Sequence, residues 1–202
     1  MAKVSDIKQD DIIRSAIEVF SQKGVHQASM EGISKHAGVS KRTLYKYFPN
    51  KHALFKVIVD KLMCRYDGQE ELRFVETEPL DAQLTRLTLK KMCYVTTNDF
   101  QLTARLVMSE CIRCPEISEL LRQRFAEIEQ TYGLNDWLNE AIKHGALEIE
   151  NIEMAVEQFF GSIKAIVFWP QLIAHEAPAS QETFELAIET AVRNFLKAYQ
   201  TT

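Results

Sequence analysis

Glycine and proline are scarce, seven and five residues in 202, and that scarcity argues against folds built from many short strands and tight turns. No stretch alternates apolar and polar residues for long enough to form a half-buried strand. Long apolar runs are missing as well. No window approaches the roughly 20 consecutive apolar residues of a membrane span, and the start Met1-Ala2-Lys3-Val4-Ser5-Asp6 lacks the apolar core of a signal peptide. The expectation is a cytoplasmic protein with no membrane partner. Cysteine is limited to Cys64, Cys93, Cys111 and Cys114, which a reducing compartment keeps as free thiols. Catalytic signatures are missing too: there is no glycine-rich phosphate loop, no Ser-His-Asp pattern and no HExxH pair, and the five histidines are dispersed. The sequence points to no enzyme, no cofactor and no metal site.

What is present is a chain 46% hydrophobic, enough to bury a core. The net charge of −4 hides an asymmetry. Residues 1–65 carry 12 Lys and Arg against 6 Asp and Glu, net +6, whereas the remainder carries 12 against 22, net −10. A cationic first third joined to an acidic body suits a module that meets phosphates while the body is repelled by them.

Apolar residues recur at three- and four-residue spacing along almost the whole chain, which predicts an all-α protein of about nine helices. The first runs from about Asp6 to Lys23, with Ile12, Ile13, Ala16, Ile17 and Phe20 on one stripe and Gly24 at its end. Ser29 caps a short helix through Ala37, Gly38 turns the chain, and Ser40 caps a second short helix from Lys41 to Phe48. Pro49 stops it and Asn50 caps a fourth helix that carries Leu54, Phe55, Ile58 and Leu62 toward Phe74. Five more are expected at about Leu80–Thr97, Phe100–Cys111, Glu116–His144, Ile152–His175 and Gln181–Tyr199, with Pro170 kinking the fourth of these. Residues 1–50 read as a DNA-binding domain, and the helix from 51 leads into a body of residues 51–202.

Two short capped helices joined by Ala37-Gly38-Val39-Ser40 describe a helix-turn-helix, whose second helix can lie in a major groove while the first braces it. Leu44 and Phe48 point inward, leaving Lys41, Arg42, Thr43, Tyr45, Lys46 and Tyr47 around the outer surface. Arg and Lys can donate to guanine or to phosphate, and Thr offers a methyl to thymine. The run from Ser29 through Ala37-Gly38-Val39-Ser40-Lys41-Arg42-Thr43-Leu44-Tyr45-Lys46-Tyr47-Phe48 to Lys51 resembles the signature of the TetR family of one-component repressors, over roughly residues 6–62. The resemblance implies that Thr43 and Tyr45 approach bases, and that Ser29, Tyr47 and Lys51 contact phosphate. Ser29, Ser34 and Arg42 depart from the usual Thr, Ala and small residue. Arg42 is expected to add a contact particular to this protein's operator.

A single short recognition helix gives too little specificity, so a homodimer reading a palindromic duplex is expected. The last two long helices are more apolar than one face needs, and Phe159, Ile163, Phe184, Ile188 and Phe195 are the candidate interface. The family packs these helices as a four-helix bundle. Phe100, Arg105, Met108, Glu110, Trp137, Phe160 and Trp169 are candidates for the pocket of a small apolar or amphipathic effector, which the resemblance implies moves the fourth helix. Two other readings stay open: a thiol sensor using Cys111-Ile112-Arg113-Cys114, and a ligand-independent architectural DNA protein.

Overall fold

The three- and four-residue apolar spacing becomes eleven helices among the described residues, which in this computed structural model are 4–63, 73–131 and 134–201. In chain order they are α1 (Val4–Lys23), α2 (Met30–His36), α3 (Lys41–Tyr47), α4 (Lys51–Met63), α5 (Leu80–Met92) and α6 (Asn98–Arg113), then α7 (Pro115–Thr131), α8 (Leu134–Lys143), α9 (Ile152–Val167), α10 (Trp169–Ile173) and α11 (Gln181–Tyr199). The all-α expectation holds. Eleven stand against the expected nine because 152–175 is divided into α9 and α10, and because residues 132–133 of the expected 116–144 lie outside the described residues, so its two parts are labelled separately as α7 and α8.

The division of 152–175 has a visible cause. Pro170 has no N–H to give the carbonyl of Ile166, and that oxygen instead accepts a 3.3 Å bond from the Gln171 side chain. The chain leaves helical geometry at Phe168, with φ −130° and ψ −58°, and Pro170 sits in the first turn of α10, where no amide is needed. Sequence reading anticipated a kink; the structure has a break. Thr97 similarly opens α6 two residues earlier than expected, its hydroxyl accepting from the Phe100 amide at 3.3 Å. The expected course of the fourth helix through 64–72 and Cys64 itself lie outside the described residues, and Arg73–Val75 are not helical.

The chain packs as two compact units that are not contiguous in sequence: residues 1–64 with 102–125, and residues 65–101 with 126–202. This differs from the division after residue 50 drawn from the sequence, because α4 packs on α1 and residues 102–125 return to the same unit. In the first unit, Ile12, Ala16 and Phe20 of α1, Ile33 of α2, Leu44 of α3, and Leu54, Phe55 and Ile58 of α4 are all buried. The Phe20 and Phe55 rings meet edge to face, centroids 6.0 Å apart. The second unit is organised by α11, which packs on α9 and α5. Phe159 and Phe195 meet across it at 5.3 Å and 71°. No helix among the described residues is long and apolar enough to cross a membrane.

Candidate nucleic-acid interface

The turn between α2 and α3 is set by backbone chemistry. Gly38 adopts φ +64°, its N–H reaches Lys35 O at 3.3 Å, and the Val39 N–H reaches back five residues to Ser34 O at 3.0 Å. This paired closure uses carbonyls that the helix end would otherwise leave unmade. Nothing lies within 4 Å of where a Gly38 β-carbon would stand. Gly38→Ala should therefore lose only backbone energy, about 1–2 kcal/mol in urea unfolding, with Gly38→Asn losing less; an alanine variant as stable as the parent would show that the turn does not need this conformation.

Three side chains start α2, α3 and α4. Ser29 Oγ accepts from the Gly32 amide at 3.1 Å, Ser40 Oγ from Thr43 at 3.1 Å, and Asn50 Oδ1 from Ala53 at 2.8 Å. A β-carbon at Gly32 would stand 3.3 Å from Ser29 Oγ, so glycine there leaves room for the first cap. Ser29 and Ser40 are themselves exposed.

Leu44 and Phe48 are buried and set the roll of α3. The outward residues are not equivalent. Lys41 pairs with Glu31 of α2 at 2.9 Å, and the Thr43 hydroxyl lies 2.8 Å from Ser40 Oγ. Tyr47 is half-buried with its ring beside Phe48, and the Lys46 ammonium stands 5.9 Å from the Tyr47 ring centre. Arg42 and Tyr45, three residues apart on one face, extend into solvent, Tyr45 being 49% exposed.

Lys51 has work inside the unit that the sequence did not suggest. Its ammonium donates to the carbonyls of His26 and Ala28, at 2.9 and 3.1 Å, tying α4 to the α1–α2 turn. Glu110, a pocket candidate on the sequence, lies in the same unit, only 3% exposed, and accepts from the Val25 amide of that turn at 3.5 Å. Arg124 of α7 pairs with Asp60 of α4 at 2.6 Å. The signal for these roles was never local, since Lys51 and Glu110 bind backbone atoms that carry no sequence identity.

The other pocket candidates are dispersed. Arg105 and Met108 are half-buried in the first unit, while Phe100, Trp137, Phe160 and Trp169 belong to the second. Phe100 packs between Tyr94 and Phe168, at 4.8 and 6.0 Å. Trp137 is buried and donates to Gln83 at 3.0 Å. Phe160 meets Phe159 edge on, and Trp169 is 42% exposed against Phe168. None of the seven lines either of two hollows on the surface: one of about 640 Å³ bounded by His52 and Lys56 of α4 and Glu116, Glu119 and Leu120 of α7, and one of about 410 Å³ bounded by Glu150, Asn151, Met154 and Tyr199.

The interface candidates need correction. Phe159, Ile163, Phe184, Ile188 and Phe195 are all buried within one chain, where α9 packs on α11. A stripe buried by its own chain has no surface left for a partner. The large apolar residues that α9, α10 and α11 leave in solvent are Met154, Ile166, Trp169, Ile173 and Leu186.

Within the CxxC, Cys111 is a poor thiolate site. Burial pushes the Cys111 thiol up, with Cys114 and Glu110 acting in the same direction, and the Cys114 thiol donates to Glu116 at 3.0 Å. Reactive thiols have the opposite setting.

Comparison with known proteins agrees with this geometry. Residues 12–58 match the family model described as bacterial regulatory proteins, tetR family, and residues 82–201 match that of the AefR-like transcriptional repressor, C-terminal domain. The fatty acid metabolism regulator protein of Bacillus subtilis (strain 168) is 30% identical over 166 residues, covering 79% of this chain and 81% of that protein. A TetR family transcriptional regulator from Pseudomonas syringae pv. tomato str. DC3000 superposes with TM-score 0.86 at 27% identity over the whole of both chains. The transcriptional regulator FadR from Bacillus subtilis, solved in complex with stearoyl-CoA, superposes with TM-score 0.63 at 20% identity, covering 92% of this chain and 96% of that one.

Proposed function

Because this chain belongs to the TetR family of bacterial transcriptional regulators, we propose that it is a repressor that reads a palindromic operator with α3 and releases it on binding a long-chain fatty acyl thioester. The observation that carries the first half is the setting of α3: Leu44 and Phe48 anchor it from within, while Arg42, Tyr45 and Lys46 stay in solvent. Arg42 and Tyr45 face base edges. Ser29, Ser40, Tyr47 and Lys51 meet phosphate, and Lys41, Thr43 and Lys46 complete the contact surface. The basic balance of residues 1–65 supplies the sequence-independent attraction.

The effector class is supported by the name of the 30%-identical relative and by the acyl-CoA held by the FadR of similar fold. Family members typically act as dimers, and two half-sites one helical turn apart need two copies. The exposed apolar residues of α9, α10 and α11, including Ile166, Trp169, Ile173 and Leu186, form the face we assign to the partner copy.

The experiment selects bound fragments from the source genome and measures their affinity against salt and stearoyl-CoA. Specific fragments should be held at least about 10³-fold more tightly than random duplex, and stearoyl-CoA should release them. Uniform weak binding would favour an architectural protein; specific binding indifferent to stearoyl-CoA would remove the acyl thioester and leave the regulator. Lys51→Ala should weaken every fragment alike and lower the salt slope by about one. An unchanged slope would assign Lys51 to the α1–α2 turn alone.

A further inference from the structure

We infer that Glu110 is a positioning residue for DNA binding: from α6 it holds the α1–α2 turn that delivers Ser29 to the duplex, together with Lys51, which grips the same turn from α4. The turn is five residues long. Gly24, at φ +76°, opens it with a bond to Phe20 O of 2.8 Å, and Ala28 closes it by donating to Gly24 O at 3.2 Å. Between those points the Val25 N–H goes to the Glu110 carboxylate at 3.5 Å, and the carbonyls of His26 and Ala28 go to the Lys51 ammonium at 2.9 and 3.1 Å. Ser29 follows Ala28 directly in the chain.

A carboxylate 3% exposed is a costly choice for a position that an apolar side chain would fill better. Its 85-residue reach to a backbone amide gives the choice a purpose. An acceptor from α6 and a donor from α4 act on alternate peptide groups of one turn, so its position is set by two helices that lie far apart in sequence. Neither contact depends on the side chains of residues 25–28. The turn can therefore vary in sequence without losing its hold.

The inference rests on reading the first unit as the DNA-binding module, and its test separates the two. Amide exchange at Val25 and affinity for a selected genomic fragment are measured for the full chain, Glu110→Gln and Glu110→Ala. The alanine variant should exchange Val25 about three- to tenfold faster and bind the fragment about tenfold more weakly, with equal loss on random duplex and unchanged exchange for Ile12 and Phe55 in the core. Glutamine, whose amide oxygen accepts the same bond at nearly the same size, should restore both. Val25 exchange that ignores the alanine change, a glutamine variant no better than alanine, or faster exchange with unchanged affinity would each overturn the positioning role. Failure of the parent chain to hold any fragment would overturn the DNA-binding reading and the positioning role with it, yet would leave the Val25 exchange difference intact and so be recognised as the failure of the premise.

Discussion

Leu44→Ala is expected to abolish specific operator binding while leaving the native emission of both tryptophans unchanged. Leu44 is the one buried residue within the seven of α3, and the next apolar contact inward is Phe48 at the C-cap. A helix of two turns is far below the length at which isolated helices persist in water, so α3 exists because its inner face is packed. Removing that side chain costs about 3 kcal/mol by transfer and cavity terms. That is a large share of the stability of a small domain. The loss falls on the element that carries Arg42 and Tyr45, whose fixed aim distinguishes specific from general attraction. The only two tryptophans, Trp137 and Trp169, lie in the second unit, so their native emission reports on residues the substitution does not touch. Operator affinity within threefold of the parent would show that α3 is held by something other than its inner face. Loss of the native tryptophan emission would show damage beyond the first unit.

The helix-turn-helix was legible in the sequence because its determinants are local. A glycine that turns a helix, a serine that caps the next and a proline that ends it act within five residues, and Gly38, Ser40 and Pro49 mark the observed boundaries to within a residue. The break within 152–175 was less legible, since a 3.6-residue pattern continues through a break when the same face stays buried on both sides, here by Val167 before it and Leu172 after it. Long-range polar contacts were not legible at all. Glu110 read as a pocket residue because, with Arg105, it is a polar group scattered among apolar candidates, and its partner proved to be the amide of Val25. The stripe of Phe159, Ile163, Phe184, Ile188 and Phe195 failed for a different reason. Burial inside one chain and burial between two copies demand the same residue types at the same spacing, and only packing separates them; here α9 and α11 cover one another.

Gln83 of α5 sets the second large expectation, on the stability of the second unit. It is 2% exposed, and all four of its hydrogen-bonding positions are used. Its oxygen accepts from the Val75 amide at 2.9 Å and from the Trp137 indole at 3.0 Å, while its nitrogen donates to Val75 O at 2.8 Å and Glu78 O at 2.7 Å. One side chain thus fastens the non-helical segment before α5 to both α5 and α8. The Glu78 carboxylate adds a fork to Arg86, and the Phe74 ring meets Trp137 edge on at 6.0 Å. Gln83→Leu keeps the volume but strands the Trp137 N–H, which is 1% exposed as a residue and out of reach of water. An orphaned buried donor costs about 1–3 kcal/mol, and Val75 and Glu78 lose their partners as well, so the expected loss is about 3 kcal/mol in urea unfolding followed by tryptophan emission. Trp137→Phe removes the same donor from the other side. In the double variant no indole is left unpaired, so the two losses should fall short of their sum by about 1 kcal/mol or more. Losses that add within about 0.5 kcal/mol would mean the two side chains are merely neighbours, and that the segment before α5 is held by Glu78 and Arg86 instead.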